Sequence, residues 1–346
     1  MNAACLLFLA TALTLPRPVQ DPPPTDDPRF EDRVDVERIT LDARVLGDRG
    51  EPRLGLTARD FRLRIDGRVV PVESAHWVDG ATPYAEGLTP SEAASLGAEA
   101  APPGRLLVFF FQKHLERTRA PGLLRMIQEA HGLVDSLNDG DRVAVVSFDS
   151  RLKLWTDFTG DRGALHAIIE RSILFGERPA ATSDGAFPSL ADAFDERAAR
   201  EAGSAEKGLL VLGEALRTLP GAKSLVFFGY GMGRLEGEAG VHMTEAYELA
   251  SAALLASRTT VFSLDVTNAD SHSLEVGLER VAEDTGGFYA KTHQFLPGIM
   301  RRLRLALSGH YVLAFERPDL RRGAHRIEVD LVDRSADVLT KREYVD

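Results

Sequence analysis

The sequence predicts an α/β fold in which a mostly parallel sheet carries helices on both faces. Between residues 105 and 308, short apolar runs alternate with segments of helical periodicity, as in strands joined by helical crossovers. Residues 106–111 are apolar throughout, which indicates a strand buried on both faces of a sheet. On either side, residues 33–79 and 309–346 show short alternating runs and turn residues, which predict additional β-structure.

The elements of this α/β segment, residues 105–308, follow from its periodicities. The apolar runs predict strands at residues 106–111, 142–148, 152–158, 224–228, 259–266 and 286–290. Apolar residues at helical spacing predict helices at residues 121–138, 161–174, 205–219, 244–257, 271–284 and 294–308. Ligands of such sheets bind at the carboxyl ends of the strands, so the loops that follow the strands form the candidate site.

The two flanking segments, residues 33–79 and 309–346, are each too small for a core of their own. Polarity alternates with a period of two over residues 34–46, and Asp66 and Gly67 form the turn of a predicted hairpin. Further strands are predicted at residues 311–315, 325–331 and 338–344. We expect the flanks to pack together as one small β-sandwich into which the α/β segment is inserted. In the alternative, each flank contacts the α/β segment separately.

Residues 1–20 have the character of a secretory signal peptide. Their apolar run, residues 3–15, is too short to span a bilayer but matches the core of a signal. We therefore expect an exported protein, periplasmic or extracellular, with no membrane span after signal removal; an apolar N-terminus without a targeting role is the alternative. The mature chain would lack cysteine, because Cys5 is the single one. Residues 21–32, rich in Pro and Asp, and residues 80–104 are predicted linkers.

The charge balance excludes several classes of partner. The chain has 41 basic and 52 acidic residues, and its net charge is −11 at pH 7. Binding to nucleic acid requires clustered Lys and Arg that neutralise phosphates, and anionic lipids attract polybasic segments. The sequence has neither feature, so we expect an unknown protein or cell-envelope partner and no nucleic acid.

The loops after the predicted strands lack the motifs of common enzyme sites. Gly229, Gly231 and Gly233 follow a strand, but Arg234 stands where a dinucleotide-binding loop needs its third glycine. The sequence contains no phosphate-binding P-loop, no G-x-S-x-G nucleophile elbow and no H-E-x-x-H zinc motif. We therefore expect no catalytic residues, no cofactor and no enzymatic activity.

Six segments of the chain, taken in order, resemble one known family. They are residues 54–68, 133–148, 219–228, 278–287, 311–315 and 323–329. They are similar to the von Willebrand factor type A-related proteins that bacteria export, particularly those of Acidobacteria. The resemblance implies a Rossmann-like von Willebrand A domain. It also implies the place of a metal-ion-dependent adhesion site, in which Mg²⁺ is held by an Asp-x-Ser-x-Ser loop after the first strand, a Thr from a second loop and an Asp after the fourth strand.

This chain departs from the ligand pattern of that site. Gln112, His114 and Glu116 occupy the positions of the Asp and the two Ser residues of the first loop. Tyr230 occupies the position of the Asp after the fourth strand, and Thr182 or Ser183 aligns with the Thr. The resemblance therefore implies a degenerate site that holds no metal.

We accordingly expect a non-catalytic, exported protein-binding or adhesion module that has lost its metal site. Its partner-binding rim would comprise Gln112, Lys113, His114, Glu116, Arg117, Thr182, Ser183, Asp184 and Tyr230. In one alternative the rim is solvated and has no partner. In a second the protein is a metal-dependent adhesion domain, with Glu116, Thr182 and Asp184 as substitute ligands for Mg²⁺ or Mn²⁺. In a third it is a hydrolase that uses Asp265 or Asp149 near His114.

Overall fold

The computed structural model of the protein describes residues 37–79, 104–113, 119–174, 189–236, 240–334 and 336–345. All of them belong to one compact unit, Glu37–Asp346. The predicted signal peptide, the linker at residues 21–32 and nearly all of the linker at residues 80–104 lie outside the described residues. No helix of the described residues is long and apolar enough to cross a membrane.

The secondary structure consists of strands and helices whose bounds are as follows. The strands are β1 (Arg38–Leu46), β2 (Phe61–Ile65), β3 (Arg68–Val70), β4 (Ser74–Asp79), β5 (Leu106–Gln112), β6 (Arg142–Phe148), β7 (Leu152–Thr159), β8 (Lys223–Gly229), β9 (Arg234–Leu235), β10 (Val241–His242), β11 (Thr259–Asp265), β12 (Tyr289–Lys291), β13 (Gly309–Glu316), β14 (Ala324–Leu331), β15 (Asp337–Thr340) and β16 (Glu343–Val345). The helices are α1 (Ala120–Asp135), α2 (Arg162–Leu174), α3 (Leu190–Ala193), α4 (Glu196–Arg200), α5 (Ala205–Leu216), α6 (Glu245–Ala256), α7 (Glu275–Asp284) and α8 (Leu296–Ala306).

The central sheet has six strands in the order β12-β11-β8-β5-β6-β7. Strand β5 pairs in parallel with both β6 and β8, and β11 pairs in parallel with both β8 and β12. Only β7 runs antiparallel, because it returns from β6 through a short turn. The prediction of a mostly parallel α/β sheet is confirmed.

The apolar run of β5 is buried because the sheet is covered on both faces. Phe110 belongs to one core and contacts Phe227 of β8 with ring centroids 4.7 Å apart. Phe109 and Phe111 point to the other core, where Phe111 stacks on Phe228 at 5.0 Å. Helices α1, α2 and α8 cover the second core, and α3 to α7 cover the first. Alternate residues of one strand thus serve two separate cores.

The two flanks pair with each other in two four-stranded antiparallel sheets, with the orders β15-β1-β13-β4 and β16-β14-β2-β3. In the first sheet, Arg38 lies opposite Glu316; in the second, Ile65 lies opposite Ile327. Side chains of both sheets, among them Leu63 and Leu313, form one shared core. The flanks therefore form the sandwich that was expected, and the strands of the α/β segment lie between them in the sequence.

One predicted helix begins later than expected. The sequence predicts a helix at residues 271–284, whereas α7 begins at Glu275. The residues before it form a loop, because the carboxylate of Asp265 accepts hydrogen bonds from the Thr267 backbone N–H and from the His272 side chain. These bonds compete with helical backbone geometry. Two short helices, α3 and α4, were not among the predicted elements.

A buried arginine connects the sandwich to the central sheet. Arg44 of β1 is 4% exposed and donates hydrogen bonds to the Ala306 carbonyl at 3.2 Å and to Thr260 Oγ1 at 2.9 Å. Its guanidinium lies 5.4 Å from the centre of the Phe262 ring. Burial lowers the pKa of Arg44 to about 10, and the neighbouring Asp42 opposes part of this shift. The contact joins β1 to β11 and α8.

We predict that Arg44→Ala lowers the free energy of unfolding by roughly 3 kcal/mol, because it opens a cavity and leaves buried acceptors without a donor. Arg49→Ala, at an exposed position of the turn after β1, is the matched control and should change stability by less than about 0.5 kcal/mol. Urea unfolding of the two variants measures the difference. Equal stabilities would contradict a structural role for Arg44.

Candidate functional site

The carboxyl ends of β5, β8 and β11 lie side by side at one edge of the central sheet. Sheet order reverses at β5, since β6 lies on one side of it and β8 on the other. This is the topological position at which open α/β sheets form ligand crevices. Of the predicted rim, the structure describes Gln112, Lys113 and Tyr230. The rim residues that lie outside the described residues are His114, Glu116, Arg117, Thr182, Ser183 and Asp184.

Gln112 joins the end of β5 to the loop after β8 through both ends of its amide. Its Oε1 accepts a hydrogen bond from the Tyr230 backbone N–H at 2.7 Å, and its Nε2 donates to the Gly231 carbonyl at 2.9 Å. The amide thus spans the gap between β5 and the loop after β8. Gln112 and Tyr230 align with Asp ligands of the family. The side chain of Gln112 is an amide whose oxygen already accepts a hydrogen bond, and that of Tyr230 is a phenol. Neither supplies a carboxylate oxygen to a cation, so these two positions do not fit Mg²⁺.

Lys113 is buried beneath the edge. Its Nζ lies 3.9 Å from Asp149 Oδ2 and 5.8 Å from the centre of the Trp155 ring. Burial lowers the pKa of Lys113. Burial alone would raise the pKa of Asp149, but hydrogen bonds from Lys153, at 2.6 Å, and from the Ser150 backbone hold it below its ordinary value. Asp149 is therefore an ion-pair partner at this edge.

Tyr230 is also buried, with 3% of its surface exposed. Its hydroxyl donates a hydrogen bond to the Arg119 carbonyl at 2.9 Å, and the Arg119 guanidinium covers its ring at 4.9 Å. Burial raises the pKa of Tyr230 to about 12. Gly122 allows this packing, because a Cβ there would lie 2.8 Å from the Tyr230 hydroxyl and 2.6 Å from the Val266 carbonyl. At this edge the buried ring of Tyr230 thus packs against the Arg119 guanidinium.

A cavity of about 260 Å³ opens beside Tyr230. We call it the Arg119 cavity; its lining residues are Arg119, Gly122, Tyr230, Val266, Thr267, Asn268 and Ala269. It lies between the start of α1 and the loops that follow β8 and β11. Sequence analysis did not predict this cavity. Nothing in the spacing of residues brings Arg119 next to the loop after β11, and only the packing of α1 does so.

A second polar cluster lies at the end of β11. Asp265 is fully buried; its Oδ2 is 2.9 Å from His272 Nε2 and accepts a hydrogen bond from the Tyr289 hydroxyl at 2.8 Å. Glu275 forms an ion pair with Lys291 at 2.7 Å, and this hydrogen bond lowers the pKa of Glu275. Burial and the two carboxylates raise the pKa of Tyr289.

One ligand atom from each of Asp265, His272 and Glu275 lies within 4.8 Å of the other two, so these residues could hold a metal ion. A cation there would compete with the Lys291 ammonium for Glu275 and with the Tyr289 proton for Asp265. Sequence analysis missed this cluster. Its signal in the sequence is the pair His272 and Glu275, which are three residues apart at the start of a helix and follow a strand that ends in Asp265.

Phe295 is the most exposed of the large apolar side chains, at 89%, among the described residues. It precedes α8 with a φ of 48°, in the left-handed region that non-glycine residues rarely adopt. The loop that carries it follows β12, and Arg125 of α1 donates a hydrogen bond to Thr292 of this loop at 3.3 Å. The loop that carries Phe295 therefore begins at the carboxyl edge of the sheet.

No protein-family model matches the sequence, and no curated protein is similar to it. Solved structures do resemble the chain. One is a von Willebrand factor type A protein from Catenulispora acidiphila, with 11% identity and a TM-score of 0.42 over 85% of this chain and 74% of that one. The solved structures that the chain resembles thus include von Willebrand A proteins, the family that its motifs resemble.

Two further solved structures resemble the chain. The vWF domain of the type V pili tip protein Mfa5 from Porphyromonas gingivalis shares 10% identity, with a TM-score of 0.39 over 62% of this chain and 97% of that one. The manganese-loaded TRAP protein of Plasmodium vivax shares 10% identity, with a TM-score of 0.38 over 78% of this chain and 96% of that one.

We predict that Gln112→Glu lowers the free energy of unfolding by about 1–3 kcal/mol. A carboxylate can still accept from the Tyr230 N–H but cannot donate to Gly231, so it brings a negative charge against a carbonyl oxygen. Gln128→Glu, the same change at an exposed position of α1, should be close to neutral. Thermal unfolding at pH 7 compares the two variants; an equal effect would contradict the bridging role of Gln112.

Proposed function

We propose that this protein is a non-catalytic, exported protein-binding or adhesion module of the von Willebrand A type that engages its partner at the carboxyl edge of the central sheet without a metal ion. The observation that carries the proposal is the amide bridge of Gln112. This hydrogen-bonded side chain joins the end of β5 to the loop after β8, where the resemblance places the cation of the family, and the aligned Tyr230 is packed under Arg119.

The acidic groups of the edge support binding rather than catalysis. Asp149 is paired with Lys153, and the fully buried Asp265 accepts hydrogen bonds from the Thr267 backbone and the Tyr289 hydroxyl and lies beside His272. A general base must lie within hydrogen-bond reach of a substrate proton, and these carboxylates already use their oxygens within the protein. The hydrolase alternative gains no support from them.

Two features support a protein partner outside the cytoplasm. The exposed Phe295 holds a strained backbone conformation at the proposed binding edge, and exposed aromatic side chains are enriched where proteins bind one another. The apolar run of residues 3–15 supports export. The partner would then be a protein of the cell envelope or its surroundings.

We predict that EDTA, Mg²⁺ and Mn²⁺ leave the midpoint of thermal unfolding unchanged. A site with a Kd of about 0.1 mM would stabilise the fold by about 2.7 kcal/mol at a hundredfold excess of metal, which is on the order of 5–10 °C. A shift of that size that Glu116→Ala abolishes would establish the metal-dependent alternative. A shift that His272→Ala abolishes would instead locate the metal at the cluster around Asp265.

We predict that a photo-crosslinking benzophenone side chain at position 295 forms a defined adduct with an envelope protein of the producing cells, in EDTA as well as in Mg²⁺. The control places the same group at position 69 on β3 of the sandwich, where Val69 is 69% exposed against 89% for Phe295. The same adduct from both positions, or none from position 295, would contradict binding at this edge. An adduct that EDTA removes would contradict its independence from metal.

A further inference from the structure

We propose that His131 of α1 and His166 of α2 bind a divalent transition-metal ion such as Zn²⁺, with Asp135 as the third ligand. Helix α1 begins after the carboxyl end of β5 and ends shortly before β6 begins, so its last turns lie toward the opposite edge of the sheet. The site is therefore separate from the proposed binding edge, and the inference does not depend on the proposed function.

The first observation is the position of the two imidazole rings. They face each other where α1 contacts α2, with ring centroids 4.5 Å apart and planes inclined at 72°. An ion that binds a ring nitrogen at about 2.1 Å lies about 3 Å from that ring's centroid, so two rings that share one ion have centroids up to about 6 Å apart. The observed separation is within this limit.

The second observation is that the backbone holds both rings in place. Ala130 and Leu165, which precede the two histidines in the sequence, are fully buried in the second core. Arg162, the first residue of α2, also donates a hydrogen bond to the Leu137 carbonyl, which lies just after α1. Ligands on two packed helices are preorganised, so an ion can bind them with little change of the backbone.

The third observation is a nitrogen that the protein does not use. His131 Nε2 is buried and has no hydrogen-bond partner in the part of the chain that the structure describes. Leaving a buried polar atom without a partner is unfavourable, and a metal ion would supply one. Burial lowers the pKa of His131, and the neighbouring His166 lowers it further. The ring is thereby kept in the neutral form that binds metals.

The fourth observation is an oxygen ligand beside the second ring. Asp135 Oδ1 lies 3.0 Å from His166 Nε2, and Asp135 follows His131 by four residues on the same face of α1. Two ligands of one ion lie about 2.8–3.4 Å apart when each bond to the metal is about 2.0–2.1 Å. An ion can therefore take the place of the hydrogen between these two atoms. Glu170, four residues after His166, adds a second carboxylate that acts on His131.

The kind of ion follows from the ligand atoms and from their access to solvent. Imidazole nitrogen together with a carboxylate suits Zn²⁺, Cu²⁺ and Ni²⁺, whereas Mg²⁺ requires oxygen ligands and Mn²⁺ also favours them. The side chains of His166 and Asp135 are 30% and 70% exposed, so an ion can enter from solvent. The net charge of −11 attracts cations to the chain.

The experiment titrates ZnCl₂ into the full chain, without a histidine tag, by isothermal titration calorimetry after EDTA treatment and dialysis. We expect binding with a Kd on the order of 10 µM, weaker than that of four-ligand structural zinc sites, and no binding of Mg²⁺. Zn²⁺ at about a hundredfold excess over Kd should raise the midpoint of thermal unfolding by on the order of 5 °C. A site this weak loses its ion on dialysis, so EDTA has no effect on the dialysed chain.

His131→Asn and His166→Asn should each weaken the binding of Zn²⁺ by about tenfold or more, because each removes one of three ligands. His242→Asn, the same change at an exposed position of β10, is the matched control and should leave the Kd unchanged. Asp135→Asn alters only an exposed carboxylate and should weaken binding by about threefold or more. It remains informative if a histidine variant fails to fold.

Three results would overturn the inference. The first is an absence of Zn²⁺ binding, and the second is a Kd that neither His131→Asn nor His166→Asn changes. The third is binding that His272→Ala removes and His131→Asn retains, which would place the ion at the cluster around Asp265. None of these results bears on the crosslinked adduct at position 295, so the proposed function is tested separately.

Discussion

The position of β5 in the middle of the central sheet is the constraint on which the rest of the structure depends. It has a parallel neighbour on each side and a layer of helices on each face, so every side chain from Leu106 to Phe111 is buried among apolar groups. The first polar side chain of β5 is therefore that of Gln112, its last residue. The middle of β8, Leu225–Phe228, is apolar and buried in the same way, whereas β11 carries buried polar residues along its length, among them Thr260 and Ser263. Gln112, Tyr230 and Asp265 accordingly lie where β5, β8 and β11 end.

The described part of the carboxyl edge is held together by an amide and by cationic side chains. An amide can accept and donate at the same time, and Gln112 does both within 3 Å, with Tyr230 and Gly231 of the loop after β8. A cation held by carboxylates would join the same loops by attraction to negative charge, but it would also depend on its concentration in the surroundings. The amide of Gln112 is part of the chain, so its contacts with the loop after β8 do not depend on the concentration of an ion.

Much of the fold could be predicted from the sequence, because strand and helix patterns depend on neighbours a few residues apart. Periodicity predicts the strands at residues 106–111 and 142–148 and the hairpin turn at Asp66. The pairing of the two flanks was expected because sheets this small need a partner to bury their apolar faces. The late start of α7 could not be predicted, since it depends on His272 contacting a carboxylate seven positions earlier. The burial of Lys113 beside Asp149 and Trp155, and the hydrogen bond from Arg125 to Asn268, could not be predicted, because they join residues far apart in the sequence.

The pairing of β1 with β13 has a consequence for the order in which the chain acquires its structure. Arg38 and Glu316 lie opposite each other although the entire α/β segment separates them in the sequence. Closing so long a loop in an unfolded chain is entropically unfavourable, and contacts of this kind form slowly. A folded central sheet shortens the effective loop, because it already holds the beginning of β5 and the end of α8 near one another. We therefore expect the central sheet to fold before β1 pairs with β13.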